Sequence, residues 1–378
     1  MLLRTVLRAA CAAVVCTAVL APPAAATSRP DDDHHDLQAQ LDRFVHAEGG
    51  PPGAVAVLRR GWNTQVVTAG VADTRTGRPP RVRDHMRIAS TAKAYSGAVA
   101  LSLVDRGALG LDDTLRERLP DLPRRWGAVT LRQLLQHTSG LPDYSESTAF
   151  LDVIRADPHH RFDSRRLLDY VADKKLLFTP GSRYRYSNSD NIAVALMAEA
   201  ATGARYENLL RDLVYRPLGL HATSLPQGYR MPRPYLHGYD ADGEDVSEAI
   251  GMSGVWASGG IVSTPLDMSR FVRGYVGGAL FGAHVTHEQR AWVDGTSGPP
   301  GPGRNSAGLA LFRYATRCGV VLGHTGNTLG YTQFIAATPD GGRSLTFSIT
   351  SQINEKNDPE GLRRLRAIEE KFVCALLK

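Results

Sequence analysis

The strand patterns of this chain lie at its two ends, and a long helical stretch separates them. Short apolar runs bounded by turn residues predict strands at 54–58, 65–67, 309–312, 319–322, 332–337 and 344–350. Helical spacing of apolar residues, punctuated by proline and glycine, predicts a mostly helical region from about 91 to 220. We therefore expect one sheet lobe (about 37–90 and 255–378), a helical lobe (about 91–254) and a cleft between them.

Two amphipathic helices are expected to flank the sheet. The first carries Leu37, Leu41, Phe44 and Val45 at helical spacing, and the second spans 360–378 with its apolar residues on one face. The domain of residues 37–378 is long enough to bury one large core or two joined lobes.

The N-terminal segment has the order of a secretory signal peptide. Arg4 and Arg8 precede an apolar run at 9–21, and small residues follow up to Ala26. This pattern predicts cleavage after Ala26 and a secreted protein, with a retained anchor as the alternative. Residues 27–36 are polar and are expected to form a flexible extension. Adjacent acidic residues and histidines in such a segment rarely form a closed metal site.

Charge and cysteine content narrow the possible partners. The net charge is +6, and removal of residues 1–26 leaves +4 because that segment has no acidic residue. The basic residues are scattered and do not alternate with aromatic residues, so binding of nucleic acid is not expected. Cys318 and Cys374 remain after processing, and in an oxidising compartment they form either a disulfide or two separate buried thiols.

Ser90 and Lys93 are the first candidate catalytic pair. They lie three residues apart at the start of a predicted helix, so their side chains share one face. A serine hydroxyl needs a base to become a nucleophile, and a lysine with a lowered pKa in a desolvated cleft can serve as that base. The backbone N–H of Ser90, at the helix N-terminus, is a candidate oxyanion donor. A helix-capping serine beside a solvated lysine is the structural alternative.

Two further segments carry candidate site residues. Tyr186 and Asn188 follow a turn, where Tyr186 could pass protons and Asn188 could donate to a substrate carbonyl. His324, Thr325 and Gly326 end a predicted strand, where His324 and Thr325 could bind a carboxylate and Gly326 allows close approach of a substrate backbone. The backbone N–H after Gly326, that of Asn327, is the second candidate oxyanion donor.

Taken in order, these three motifs resemble those of the serine beta-lactamase and penicillin-binding superfamily. The segments at 134–141 and 256–263 are also typical of its branch of class C beta-lactamases and D-alanyl-D-alanine carboxypeptidases. The resemblance implies a mixed α/β (α+β) fold, with an antiparallel sheet flanked by terminal helices and an all-helical lobe. It also implies an acyl-enzyme at Ser90, with Lys93 and Tyr186 sharing the proton transfers.

The resemblance also assigns substrate contacts. It implies that Trp256 lines the cleft, and Arg313 on the preceding strand is a candidate for binding a carboxylate. His324 stands where the family frequently has lysine, which points to carboxypeptidases of the actinomycete type. Asn327 departs from the pattern, because a threonine there would strengthen recognition of a terminal carboxylate.

The sequence therefore predicts a secreted, monomeric serine hydrolase without cofactor or metal. The leading hypothesis is a D-alanyl-D-alanine carboxypeptidase acting on peptidoglycan stem peptides, without stable insertion into a membrane. An esterase, a D-amino-acid peptidase or amidase, and a beta-lactamase are alternatives on the same fold. A catalytically idle penicillin-binding sensor or cell-wall binding module is the alternative from another functional class.

Overall fold

The computed structural model describes the backbone of residues 30–378 and the side chains from residue 35 onwards. The predicted signal peptide, residues 1–26, lies outside the described residues. The strands are β1 (Gly53–Arg60), β2 (Asn63–Gly70), β3 (Met86–Arg87), β4 (Val262–Ser263), β5 (Val293–Asp294), β6 (Arg304–Ala307), β7 (Phe312–Thr316), β8 (Gly319–Thr328), β9 (Tyr331–Ala337) and β10 (Arg343–Ile349).

The α-helices of the described residues lie at both ends of the chain and between the two groups of strands. They are α1 (Pro30–Val45), α2 (Ala92–Asp105), α3 (Leu115–Arg118), α4 (Leu131–Leu135), α5 (Thr148–Ala156), α6 (Asn188–Thr202), α7 (Tyr206–Leu210), α8 (Arg216–Leu218), α9 (Trp256–Gly259), α10 (Pro265–Val276), α11 (Ala283–Gln289) and α12 (Pro359–Leu377). Short 3₁₀ segments occur at Ala89–Thr91, Arg124–Trp126, Tyr144–Glu146, Ser164–Val171 and Met252–Gly254, and Arg211–Tyr215 is a π-helical turn.

The central sheet joins the two ends of the chain. Eight antiparallel strands run in the order β2-β1-β10-β9-β8-β7-β6-β5, so the N-terminal hairpin pairs directly with the last strand. Ala54, for example, lies opposite Ile349. The mixed α/β fold, with one antiparallel sheet built from both ends, is therefore confirmed.

Alternation along β1 divides the core into two layers. Ala54, Ala56 and Leu58 pack in the cluster that also holds the apolar faces of α1 and α12. Val55 and Val57 point to the opposite face, in the cluster that continues into the helical region around α2 and α6. Because that second cluster is continuous across both regions, the helical lobe is held firmly against the inner face of the sheet.

Three details of the described residues bear on the sequence predictions. The expected flexible extension at 27–36 is wrong from residue 30 onwards, because α1 begins at Pro30. The strand expected at 309–312 is wrong at its start, because Ala310 has φ +50° and β7 begins only at Phe312. A disulfide joins Cys318, in the turn between β7 and β8, to Cys374 in α12. Over the described residues, the helices are too short or too polar to cross a membrane.

Candidate active site

Ser90 lies in a tight turn where the sheet meets the helical lobe. The turn follows β3, Ala89 adopts φ +50°, and Ser90 sits in the short 3₁₀ segment that leads into α2. A left-handed φ is costly for alanine, and such strain persists only where the surroundings fix it. The Ile88 N–H donates to the Ile261 carbonyl and the Thr91 hydroxyl donates to the Ile88 carbonyl, so the turn is fixed from both sides.

Strand β8 lies directly against this turn. A Cβ on Gly326 would lie 2.3 Å from the carbonyl oxygen of Ile88 and 3.1 Å from the nitrogen of Thr91. Only glycine allows the strand to approach the Ser90 turn so closely. The backbone of residues 324–327 is therefore held next to the Ser90 turn.

Lys93 is buried and fully hydrogen-bonded. Its Nζ lies 3.1 Å from Ser90 Oγ, 2.8 Å from Asn188 Oδ1 and 2.7 Å from the carbonyl oxygen of Ser258. Burial lowers the pKa of Lys93 to about 7, although the carboxylates of Asp143 and Asp190 act in the opposite direction. A substantial fraction of Lys93 is therefore unprotonated at neutral pH and can accept the proton of Ser90.

Tyr186 lies over the same group. The Lys93 Nζ is 4.9 Å from the centre of the Tyr186 ring, and the Tyr186 hydroxyl is buried without a hydrogen-bond partner among the described residues. Burial raises the pKa of Tyr186, while interaction with the Ser90 hydroxyl opposes that rise. Tyr186 is therefore a neutral phenol that can accept a hydrogen bond and donate its proton close to Ser90.

Asn188 does not have the role that its sequence position suggested. Its Nδ2 donates to Asp143 Oδ2 at 3.1 Å and to Ser145 Oγ at 2.9 Å, and its Oδ1 accepts from Lys93. Both amide hydrogens are thus used within the protein, so the prediction of a free donor for a substrate carbonyl is wrong. Asn188 instead orients Lys93, and Asp143 orients Asn188.

His324 also differs from the expectation. It is fully buried, and its Nδ1 lies 2.6 Å from the carbonyl oxygen of Thr325. Because a carbonyl oxygen only accepts, Nδ1 carries the proton, and burial keeps the ring neutral by lowering its pKa to about 3. The buried Nε2, which has no partner among the described residues, is therefore a bare acceptor. The predicted donor or partial positive charge for a carboxylate is wrong.

The next two polar side chains along β8 are likewise occupied. The Thr325 hydroxyl donates to the Pro299 carbonyl at 2.7 Å, which removes the hydroxyl predicted to face the substrate. Asn327 Nδ2 donates to Thr332 Oγ1 and to the Ile353 carbonyl, and its Oδ1 accepts from two further side-chain amides. Asn327 therefore ties β8 to the segment after β10. The backbone N–H groups of Ser90 and Asn327 remain predicted oxyanion donors.

Two predicted substrate contacts lie elsewhere. Trp256 is 0% exposed, and its Nε1 donates to Glu207 Oε1 at 3.0 Å, so it cannot line an open cleft. Arg313 lies in a groove at the sheet edge with Trp292 and Arg304, and no residue around Ser90 lines that groove. Both predictions are therefore wrong, because the tertiary packing that turns these side chains away leaves no pattern in the sequence.

The sequence reasoning missed a buried polar group under Tyr186. His137 Nδ1 lies 2.7 Å from Asp190 Oδ2, and Ser139 Oγ donates to Asp190 Oδ1 at 2.5 Å. The centre of the His137 ring lies 4.5 Å from that of the Tyr186 ring, and the backbone of His137 has φ +57°. The imidazole of His137 therefore binds a carboxylate. Burial raises the pKa of Asp190 and lowers that of His137 to about 3. The only available signal was the typical segment at 134–141.

The comparison with protein families decides the assignment. The sequence profile of the Beta-lactamase family matches residues 37–370, which is nearly all of the described chain. The chain belongs to the Beta-lactamase family. This confirms the resemblance drawn from the three motifs.

The names of individual relatives refer to different activities. Penicillin-binding protein 4* of Bacillus subtilis is 27% identical over 218 residues, 53% of this chain and 47% of the relative. The chain thus matches about half the length of that relative. The D-alanyl-D-alanine-carboxypeptidase/endopeptidase AmpH of Escherichia coli is 26% identical over 317 residues, 79% of each chain. The D-stereospecific amidohydrolase from Streptomyces sp. superposes with a TM-score of 0.76 at 28% identity, covering 89% of this chain and 98% of that structure.

Proposed function

We propose that this serine hydrolase forms an acyl-enzyme at Ser90 and cleaves short amides and esters whose leaving group is uncharged, with D-amino acid derivatives as the substrate class. The observation that carries the proposal is that His324, the expected carboxylate ligand, is fully buried with its Nδ1 bonded to the Thr325 carbonyl, so that it presents neither a donor nor a cation to a substrate. A terminal carboxylate needs donors or a cation, whereas an uncharged amide or ester leaving group needs neither.

The neighbouring side chains support the same preference. The Thr325 hydroxyl and the Asn327 amide group are already hydrogen-bonded within the protein, and Arg313 lies in another groove. No described residue among these candidates is left to neutralise a carboxylate. Likeness to the D-stereospecific amidohydrolase from Streptomyces sp. supports D-amino acid derivatives as substrates.

The mechanism follows from the contacts of the three catalytic side chains. Neutral Lys93 accepts the proton of Ser90 across their 3.1 Å contact as Oγ attacks the substrate carbonyl. The backbone N–H groups of Ser90 and Asn327 stabilise the oxyanion. Tyr186 donates its proton to the leaving group and takes a proton back from protonated Lys93, so that both side chains return to their starting states. Water then attacks the acyl-enzyme, its proton passes by way of Tyr186 to Lys93, and Lys93 returns that proton to Ser90 as the acyl group leaves. Asn188 and the Ser258 carbonyl hold Lys93 in line throughout.

A D-alanyl-D-alanine carboxypeptidase acting on peptidoglycan peptides is the second candidate. Its support is the match to AmpH, which extends over 79% of both chains. The difference between the two candidates is the charge of the leaving group, because a terminal D-alanine leaves with a free carboxylate and an amide or alcohol does not.

One substrate pair separates these candidates. We would compare kcat/KM for an N-acylated D-alanyl-D-alanine with that for the same peptide carrying a C-terminal amide. We expect the amidated peptide to be cleaved at least about tenfold faster. A carboxylate that is desolvated without a donor or cation costs about 1.4 kcal/mol or more. The variant His324→Lys should reverse the preference, and Ser90→Ala should cleave neither peptide. A wild-type preference for the free carboxylate would overturn the proposal, and absence of any turnover would favour the idle sensor.

The cellular location is also a proposal. We infer action outside the cytoplasm, which the Cys318–Cys374 disulfide supports, because such bonds persist in oxidising compartments. The N-terminal residue of the exported protein tests this inference, and we expect it to be Thr27. A chain that stays in the cytoplasm and begins at Met1 would contradict the inference.

A further inference from the structure

A cluster of arginines lies away from the active site, where the β1–β2 hairpin meets α10. Arg59, Arg270 and Arg273 line an open groove of about 350 Å³, and Asp340 lies on the same groove. Arg59 is on the face of β1 that also presents Val55 and Val57 to the inner core. Arg270 and Arg273 are three residues apart on α10, so they share one face of that helix. No residue of the Ser90 cluster lines this groove.

The carboxylates near these three arginines do not balance their positive charge. Arg270 donates to Asp267 at 3.0 Å, and Arg273 donates to the carbonyls of Gly61 and Gly341. Arg59 has no hydrogen-bond acceptor or carboxylate partner among the described residues, and its Nε is buried. Asp340 lies on the groove but accepts from the Thr338 hydroxyl and the Gly342 N–H.

Placing three arginines together raises the free energy of the folded protein unless an anion occupies the groove. Partial burial, Arg273 and Arg270 all lower the pKa of Arg59, which means that its charge is destabilised by its surroundings. A guanidinium presents five N–H donors in a planar fork that matches the oxygens of phosphate. An oxyanion between the three side chains would supply the acceptors that Arg59 lacks.

An exposed tryptophan adjoins the groove. Trp62 occupies the tip of the β1–β2 hairpin and is 100% exposed, while Trp126 and Trp256 are fully buried. The tip is tied to the groove, because Arg273 donates to the Gly61 carbonyl and the Gly61 N–H donates to Gly342. An indole beside a phosphate site offers an apolar surface to whatever carries the phosphate.

We propose that the groove of Arg59, Arg270 and Arg273 binds a phosphate group, and that Trp62 contacts the molecule to which the phosphate is attached. The shared chemistry is a phosphate oxyanion, carried either by a soluble phosphate compound or by the headgroup of an anionic lipid. The site would hold the enzyme near a phosphate-bearing surface or polymer while leaving the Ser90 cleft free.

The test uses the whole protein and two probes. Inorganic phosphate is titrated while thermal unfolding and tryptophan fluorescence are followed, and vesicles of phosphatidylglycerol are compared with vesicles of phosphatidylcholine at constant ionic strength. Saturable stabilisation by phosphate without vesicle binding assigns a soluble source. Binding to the anionic vesicles alone, with a blue shift of the tryptophan emission that is absent in Trp62→Phe, assigns a lipid headgroup.

Two variants distinguish a specific phosphate site from general electrostatic attraction between anions and a basic protein. Arg59→Gln should weaken binding about tenfold or more, because it removes charge-assisted hydrogen bonds. Arg83→Gln removes the same charge from an exposed position outside the groove and should change binding less than about twofold. Both should cleave the amidated peptide at the wild-type rate.

A second readout does not depend on the variants. Phosphate should protect Arg59 and Arg273 from a dicarbonyl reagent in the wild-type protein, measured by peptide mass spectrometry, while Arg83 stays reactive. Equal binding by Arg59→Gln and the wild type, equal loss in both variants, or no binding of either probe would overturn the proposal.

Discussion

The replacement Lys93→Arg tests how the site makes its base. Lysine in water has a pKa of about 10.4, so at pH 7 roughly one in three thousand is unprotonated. Burial lowers the pKa of Lys93 to about 7, at which half of the enzyme carries the neutral amine. The environment thus raises the population of active base about a thousandfold at pH 7. Arginine stays protonated, so we expect Lys93→Arg to lose about 10²- to 10⁴-fold in acylation rate.

The assay is the pre-steady-state release of nitrophenol from a p-nitrophenyl ester between pH 5 and pH 9. In the wild type, the acylation rate should rise through an apparent pKa near 7 and fall roughly fiftyfold from pH 7 to pH 5. Thermal unfolding checks that Lys93→Arg folds, and Lys93→Met serves as a second variant. A variant within tenfold of the wild type, or a wild-type profile that stays flat across pH 7, would refute the reasoning.

The lowered pKa of Lys93 also affects the stability of the protein. The folded pKa of Lys93 lies below its value in the unfolded chain, so the unfolded state binds the extra proton between about pH 7 and pH 10.5. The cost of burying the protonated lysine is fully present below pH 7, and stability rises with pH through that window. Relative to Lys93→Met, the wild type should therefore gain about 2 kcal/mol between pH 7 and pH 9, measured by urea unfolding.

The remaining predictions concern the support of the site. Tyr186→Phe should keep the fold and slow cleavage of the amidated peptide about 10²- to 10⁴-fold, with a smaller effect on a nitrophenyl ester, whose leaving group needs no proton. Gly326→Ala would place a Cβ 2.3 Å from the Ile88 carbonyl, so we expect a loss of about 1–3 kcal/mol in stability together with loss of acylation. Gly228→Ala is its matched control, since a Cβ there meets nothing within 4 Å and should leave both properties unchanged. Cys318→Ser opens a loop with a sequence separation of 56 and should cost about 4 kcal/mol without changing the pH profile. A normal rate in Gly326→Ala, or an altered pH profile in Cys318→Ser, would contradict these expectations.

The parts of the site that sequence could predict are those with a fixed local geometry. Ser90 and Lys93 lie one helical turn apart, so their contact follows from α-helical spacing alone. A close approach at Gly326 could be predicted from the residue type, but the approaching group in this structure is the Ser90 turn and not a substrate. One sheet built from both ends of the chain could be predicted from runs of apolar residues between turns, and the pairing of β1 with β10 agrees with it.

The errors have one physical origin. Asn188, His324 and Thr325 were assigned free donors because residue type reveals what a side chain can do. Their actual partners, Asp143, the Thr325 carbonyl and the Pro299 carbonyl, depend on tertiary packing. For His324 this choice of partner fixes which nitrogen is protonated.

The nucleophile itself can be identified by one measurement. The protein is mixed with an activated N-acyl-D-amino acid ester, quenched in acid within the burst, digested and analysed by mass spectrometry. We expect a single acyl group on the peptide that contains Ser90, formed faster at pH 8 than at pH 6 and absent in Ser90→Ala. An adduct on another residue, or an adduct at Ser90 whose formation does not depend on pH, would contradict catalysis by a Ser90–Lys93 pair.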